Sequence, residues 1–141
     1  MTFQVTFDCA DPAMLSTFWA EALGYEVQPP PPDFDSWPAF LAAQGVPEDR
    51  WSSAAAIVDP AGVGPRVFFQ RVPEPKTAKN RVHLDLRSGG GLDVPLDIRR
   101  ARTEEAAARL ERLGATRVKA VEELGVYWVV MRDPEGNEFC A

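Results

Sequence analysis

His83 is the chain's only histidine, and Cys9 and Cys140 are its only thiols. Proton relay, nucleophilic attack and soft-metal binding at neutral pH draw on these side-chain types first. Cys140 with His83 as its base would make a nucleophile pair, but neither an oxyanion element nor a cysteine-protease signature accompanies them. Asp8 with His83 would make an acid–base pair, and Glu138, on the same alternating face as Cys140, offers a second proton acceptor. As isolated carboxylates, Asp8 and Glu138 read first as surface or cavity-rim groups. Arg66, Arg71, Lys76, Lys79 and Arg81 gather positive charge in a chain of net charge −6. They form either a solvated strand edge or a place to hold an anionic substrate. Gly89-Gly90-Gly91 lacks the spacing of a phosphate-cradling loop and reads as a flexible linker.

These groups need elements to position them, and composition bounds what those elements are. A chain of 141 residues with 45% hydrophobic and 26% charged residues is expected to form one globular domain with its own core. The acidic balance argues against nucleic acid as a partner, because phosphate contacts need clustered Lys and Arg. No polybasic segment or membrane-length apolar run is present, so no membrane partner is expected. The first residues show no basic-then-apolar signal pattern. Two cysteines at opposite ends of the chain read as free thiols in a reducing, cytoplasmic setting.

The pattern along the chain is duplicated. Phe3 to Asp8 alternates apolar and polar residues, as a half-buried strand does. Asp11-Pro12 then supplies an N-cap and a first-turn proline. Leu15, Phe18, Trp19, Ala22 and Leu23 fall on one helical face, Gly24 stops the helix, and Tyr25-Glu26-Val27 begins a strand. The second half repeats this. Arg81 to Leu86 alternates, and a helix starting between Asp97 and Thr103 runs to Leu113 with Ala106, Leu110 and Leu113 on one face. Gly114 stops it and Ala115 to Val118 resumes as strand. Each half closes with a β-rich run (Ala54 to Val58, Val126 to Met131), an Asp-Pro-x-Gly turn at Asp59 or Asp133, and a last strand. The half-modules span about 1–75 and 79–141. An insertion at about 28–51 interrupts the first. It carries the Pro29 to Pro32 run, read as extended backbone, and a short helix over Pro38 to Gln44. Its Trp37, Phe40, Leu41 and Trp51 read as a satellite aromatic cluster or as a cover for a cavity.

Two βαβββ halves with a Leu-Gly helix end and a closing Asp-Pro-x-Gly strand resemble the vicinal oxygen chelate superfamily. Its members include glyoxalase I, extradiol dioxygenases, fosfomycin-inactivating transferases and bleomycin-binding resistance proteins. The segments Pro65 to Glu74, Lys79 to Leu86 and Asp133 to Cys140 are similar to bacterial glyoxalase-like domains of unassigned activity. The resemblance implies an α+β fold in which two βαβββ modules form a cupped, mostly antiparallel sheet around a central cavity. It also implies that metal-using members take one ligand from the first and last strand of each half. Gln4, Gln70, His83 and Cys140 stand at those places.

Alternation alone gives the same facing: Gln4, Thr6 and Asp8 oppose Phe3, Val5 and Phe7, while His83 and Asp85 oppose Val82, Leu84 and Leu86. Glu138 and Cys140 oppose Phe139, and Gln70 lies with Phe68. Tyr127 and Trp128 must point oppositely, so one packs on a helix and the other lines the cavity. The ligand-binding set expected on these grounds is Gln4, Gln70, His83, Trp128 and Cys140, with His83, Asp8 and Glu138 as the catalytic candidates. Gln4, Gln70, His83 and Cys140 form the metal candidates, for zinc, nickel, manganese or iron. With one histidine and two glutamines, the quartet supplies two strong ligands only, and a hydrogen-bonded cavity without metal is the first expectation. Glyoxalase I chemistry requires a base beside an enediolate-stabilising metal, and Gln70 and Cys140 do not replace a glutamate base. The function expected is binding of a small molecule in an internal cup. A metal-dependent lyase, isomerase or dioxygenase is the second expectation and a dimeric accessory module with a vestigial site the third. The resemblance implies a homodimer.

Overall fold

The computed structural model describes residues 2–141, and they fall into two compact units that meet in the sequence between Pro75 and Lys76. In the first, strand β1 (Val5–Cys9) leads into helix α1 (Pro12–Leu23). The Asp11 carboxylate accepts the Met14 N–H at 3.0 Å, Pro12 occupies the first turn, and Gly24 at φ 69° ends the helix in the left-handed region. Leu15, Phe18 and Trp19 are buried. The Trp19 ring lies 5.2 Å from Phe7 of β1, and Phe7 lies 5.3 Å from Phe69. Burying each such side chain contributes about 1.5–3 kcal/mol, so this stack fixes α1 on the sheet.

The first sheet adds β2 (Glu26–Val27), β3 (Ala54–Val58) and β4 (Val67–Arg71) in the order β1-β4-β3-β2. β1 runs parallel to β4, and the other two pairings are antiparallel. Val67 and Phe69 are buried on the α1 side, which leaves Phe68 and Gln70 on the opposite face. The insertion holds helix α2 (Trp37–Ala43), capped by the Ser36 hydroxyl, and a single 3₁₀ turn at Glu48–Arg50. Nothing on α2 is buried. Its rings pack on one another instead: Phe40 lies 5.2 Å from Phe34 and 5.7 Å from Trp37. The proline run ends in a turn closed by the Phe34 N–H on the Pro31 carbonyl.

The second unit follows the same order of connections with one element reduced. Helix α3 (Leu96–Arg112) precedes β5 (Thr116–Glu123), β6 (Val126–Arg132) and β7 (Glu138–Cys140), which pair antiparallel in the order β5-β6-β7. The strand expected over Arg81 to Leu86 is a single parallel bridge, Asp85 to Cys140. Two backbone bonds hold it, Cys140 N–H to the Leu84 carbonyl at 2.9 Å and Leu86 N–H to the Cys140 carbonyl at 2.8 Å. The physical reason is the partner: β7 is three residues long, whereas β4 offers β1 five. Val82, expected on the apolar face, is 81% exposed. First strand beside last, last beside third and third beside second nonetheless recur in both units, as a duplicated βαβββ module requires.

The buried face of α3 also differs from the expected one. Thr103, Ala107 and Leu110 are buried, while Ala106 and Leu113 are half-buried. Small residues there let the helix approach Val129 and Met131 of β6 closely. Gly89 is part of this packing, since a Cβ there would lie 3.1 Å from Thr103 Oγ1 and 3.2 Å from the Arg99 carbonyl. The glycine run is therefore seated on α3 rather than a free linker. The fold is mixed α+β with two sheets, neither closed. Among the described residues no helix is long and apolar enough to cross a membrane.

Candidate functional site

In the second unit, the sheet face turned away from α3 gathers several of the candidate residues. Tyr127 points to α3, where its hydroxyl donates to Glu104 and Arg100 lies 5.2 Å over its ring. Trp128, one residue on, takes the opposite face with Val130. Val130 pairs directly with Cys140, and Cys140 pairs with Asp85, so register brings these residues to one face. His83, two residues before Asp85, joins them. The ligand atoms of His83, Asp85 and Cys140 all lie within 4.8 Å of one another. His83 Nε2 is 3.4 Å from Asp85 Oδ1. The first two side chains are exposed and the third is half-buried.

The electrostatics of this group are unequal. Burial, and then the neighbouring Asp85 carboxylate, push the Cys140 thiol up to about 11. A thiol in that state is protonated at neutral pH and a poor nucleophile unless a cation displaces its proton. Glu138 is held in the other direction. Its carboxylate accepts the Asn80 N–H at 3.0 Å and lies 3.1 Å from the Lys76 ammonium, and these contacts hold it at about 2. The geometry ties the segment Lys76 to Asn80 to β7, and a carboxylate so stabilised as an anion is a weak proton acceptor at neutral pH.

The remaining sequence candidates lie in the first unit and are engaged there. Gln70 Nε2 donates to Asp8 Oδ1 at 2.8 Å across the β1–β4 pair. Gln4 donates to the Thr6 hydroxyl at 3.3 Å, and its Oε1 accepts from Arg66 Nη1 at 2.5 Å. Gln4 thus has partners within the unit through both its oxygen and its amide, and Gln70 through its amide. Asp85 is not in the ligand sets that the sequence suggests. The available signal was its place two residues after His83 on the same alternating face, which the Asp85–Cys140 bridge turns into proximity. Among the described residues, His83, Asp85 and Cys140 are the group of three with metal-ligand geometry. Imidazole nitrogen, carboxylate oxygen and thiolate sulfur together suit zinc, so the donor set fits a borderline divalent ion.

The overall chain trace is shared with solved structures. A glyoxalase/bleomycin resistance/dioxygenase family enzyme from Burkholderia phytofirmans PsJN is 14% identical, with 97% of this chain and 93% of that one aligned at a TM-score of 0.60. The fosfomycin resistance protein FosX from Listeria monocytogenes is 10% identical, covers 99% and 89%, and reaches 0.63. A bleomycin-binding protein from Streptomyces verticillus, solved with copper(II)-bleomycin, is 12% identical, covers 99% and 93%, and reaches 0.53. At these identities the likeness is one of fold. No curated protein matches the sequence. Residues 4–141 match the sequence model of the glyoxalase-like domain, and the chain belongs to that family.

Proposed function

We propose that this protein binds a small molecule on the second-unit sheet face that bears Trp128, Val130 and Cys140, and that it is not a glyoxalase I. The observation carrying this reading is the cluster of His83, Asp85 and Cys140 within 4.8 Å, a compact polar group on a face that also presents an indole. A ligand with one flat apolar part and one hydrogen-bonding end matches such a surface. Against glyoxalase I stand a Glu138 carboxylate held at about 2 and a protonated Cys140 thiol, neither suited as the base for carbon-bound proton transfer. Gln4, Gln70 and Asp8 serve in this reading as hydrogen-bonding groups of the first unit rather than as metal ligands or a base. The homodimer implied by the family resemblance is read by sedimentation velocity, and the thiols of Cys9 and Cys140 suit a reducing cytoplasm.

A second reading has its own support in the same three donors. A divalent ion held by His83, Asp85 and Cys140 would supply Lewis-acid polarisation of a substrate oxygen, as in a lyase, isomerase or dioxygenase-type enzyme. The sulfur donor favours zinc or nickel over manganese. Elemental analysis of protein purified without chelator separates the two. Stoichiometric metal lost in His83→Ala establishes the second reading. In metal-free protein, a melting-temperature rise with one of a panel of hydrophobic antibiotics and aromatic metabolites, abolished in Trp128→Ala, establishes the first. Neither metal nor any ligand-induced shift rejects both and leaves the accessory module.

A further inference from the structure

We propose that the first unit contains an anion-binding site built on Arg66, which takes a carboxylate or phosphonate group attached to a small planar or apolar body. The site rests on the first unit alone and stands whether or not His83, Asp85 and Cys140 bind a metal. Arg66 precedes β4, and its half-buried guanidinium is positioned from three sides. Nε donates to Gln28 Oε1 at 2.7 Å, Nη1 donates to Gln4 Oε1 at 2.5 Å, and the guanidinium carbon lies 5.1 Å over the Phe68 ring. Both glutamines are themselves anchored. Gln4 donates onward to the Thr6 hydroxyl, and the Gln28 backbone accepts from Trp37 Nε1 at 2.8 Å while its N–H donates to the Ala56 carbonyl at 2.9 Å.

What marks this arrangement is the charge of the partners. Arginines that serve a fold are commonly matched by carboxylates, as Arg117 is by Glu104 and Glu111 here. Arg66 has no carboxylate partner among the described residues, and two neutral carbonyls fix its orientation without cancelling its charge. A guanidinium has five N–H donors in a planar fork. Two are used, which leaves Nη2 and the second Nη1 hydrogen for a ligand, the edge that binds carboxylate or phosphonate with two parallel bonds. Thr6 and Ala56 pair with Phe68 on either side, so on this face the aromatic ring is flanked by small side chains.

The same geometry accounts for Gln4. The family resemblance puts a metal ligand at this position, but here the Gln4 oxygen accepts from a fixed cation. In this unit the positive charge offered to a ligand is the guanidinium itself.

The test uses benzoate and phenylphosphonate as anionic probes and benzamide as the neutral counterpart of benzoate. They are titrated into the full-length ¹⁵N-labelled protein up to roughly 10 mM, which covers millimolar affinities. The expected result is saturable movement of the Arg66 Nε–H and the Gln4 and Gln28 side-chain amide signals with both anions, and at least tenfold weaker binding of benzamide. Arg66→Lys is expected to weaken benzoate at least tenfold by losing the fork. Gln28→Glu, which keeps the shape but places a carboxylate on the guanidinium, is expected to do the same, and a dispersed amide spectrum verifies that each variant is folded. Benzamide binding as well as benzoate, benzoate binding unchanged in folded Arg66→Lys or Gln28→Glu, or no saturable shift with either anion would each overturn the proposal.

Discussion

The β5–β6 hairpin turns through Leu124-Gly125, and both residues have positive φ, 51° and 73°. Glu123 pairs with Val126 on either side, so this is a two-residue loop of the kind that requires the left-handed region at both positions. Glycine takes that region freely, whereas a leucine there is strained by roughly 1–2 kcal/mol. Its side chain gives nothing visible in return, being 96% exposed. Leu124→Asn keeps the turn and relieves about half of the strain, because a short polar side chain tolerates the left-handed region. A gain of about 0.5–1 kcal/mol follows. At this chain length that corresponds to a rise of about 2–4 °C in Tm. Urea unfolding should show a higher midpoint with an unchanged slope, and Leu124→Val, β-branched, should move the midpoint the other way. If Leu124→Asn leaves Tm unchanged or lowers it, the reasoning fails: the leucine then makes a contact that its exposure does not show, and turn strain does not govern this position.

The two Asp-Pro-x-Gly turns give a graded pair. Asp133 is buried, and its carboxylate accepts the N–H groups of Glu135 and Asn137 and the Asn137 side-chain amide, so Asp133→Ala should cost about 3 kcal/mol. Asp59 accepts the Ala61, Val63 and Gly64 N–H groups but is half-exposed, so water replaces more of the loss and Asp59→Ala should lower the urea midpoint less; the reverse ranking counts against this account. The Arg117 fork, and then the Tyr127 hydroxyl, hold the Glu104 carboxyl below its ordinary value. Its stabilisation is therefore complete above the unfolded value and disappears as pH falls through the folded one. Tm measured from about pH 5 downward should fall less steeply in Glu104→Gln than in the parent protein. Phe69 of β4, fully buried and stacked on Phe7 of β1, should cost about 3–5 kcal/mol on replacement by alanine, read as the same midpoint shift by circular dichroism and tryptophan fluorescence.

How far a sequence carries depends on which residue is asked. Asp11-Pro12, Leu15, Phe18, Trp19 and Gly24 specify α1 through local rules alone, and the structure shows each of them in its expected role. Arg81 to Leu86 has the right alternation, yet forms only a bridge, because a strand's length is set jointly with its partner and β7 is short. Alternation also put His83 and Asp85 on one face, but their approach to Cys140 is fixed by register across about 55 residues, which no local pattern encodes. The limit is sharpest at Arg66. From the sequence it was one of five basic residues on a strand edge. What distinguishes it is a pair of neutral carbonyls from Gln4 and Gln28, residues 62 and 38 positions away, and an aromatic ring beneath. A charge's role lies in its partners, and Arg117, with two carboxylates, shows the opposite outcome in the same chain. The residue types available for chemistry were legible from the start, whereas which of them the fold neutralises and which it leaves charged was not.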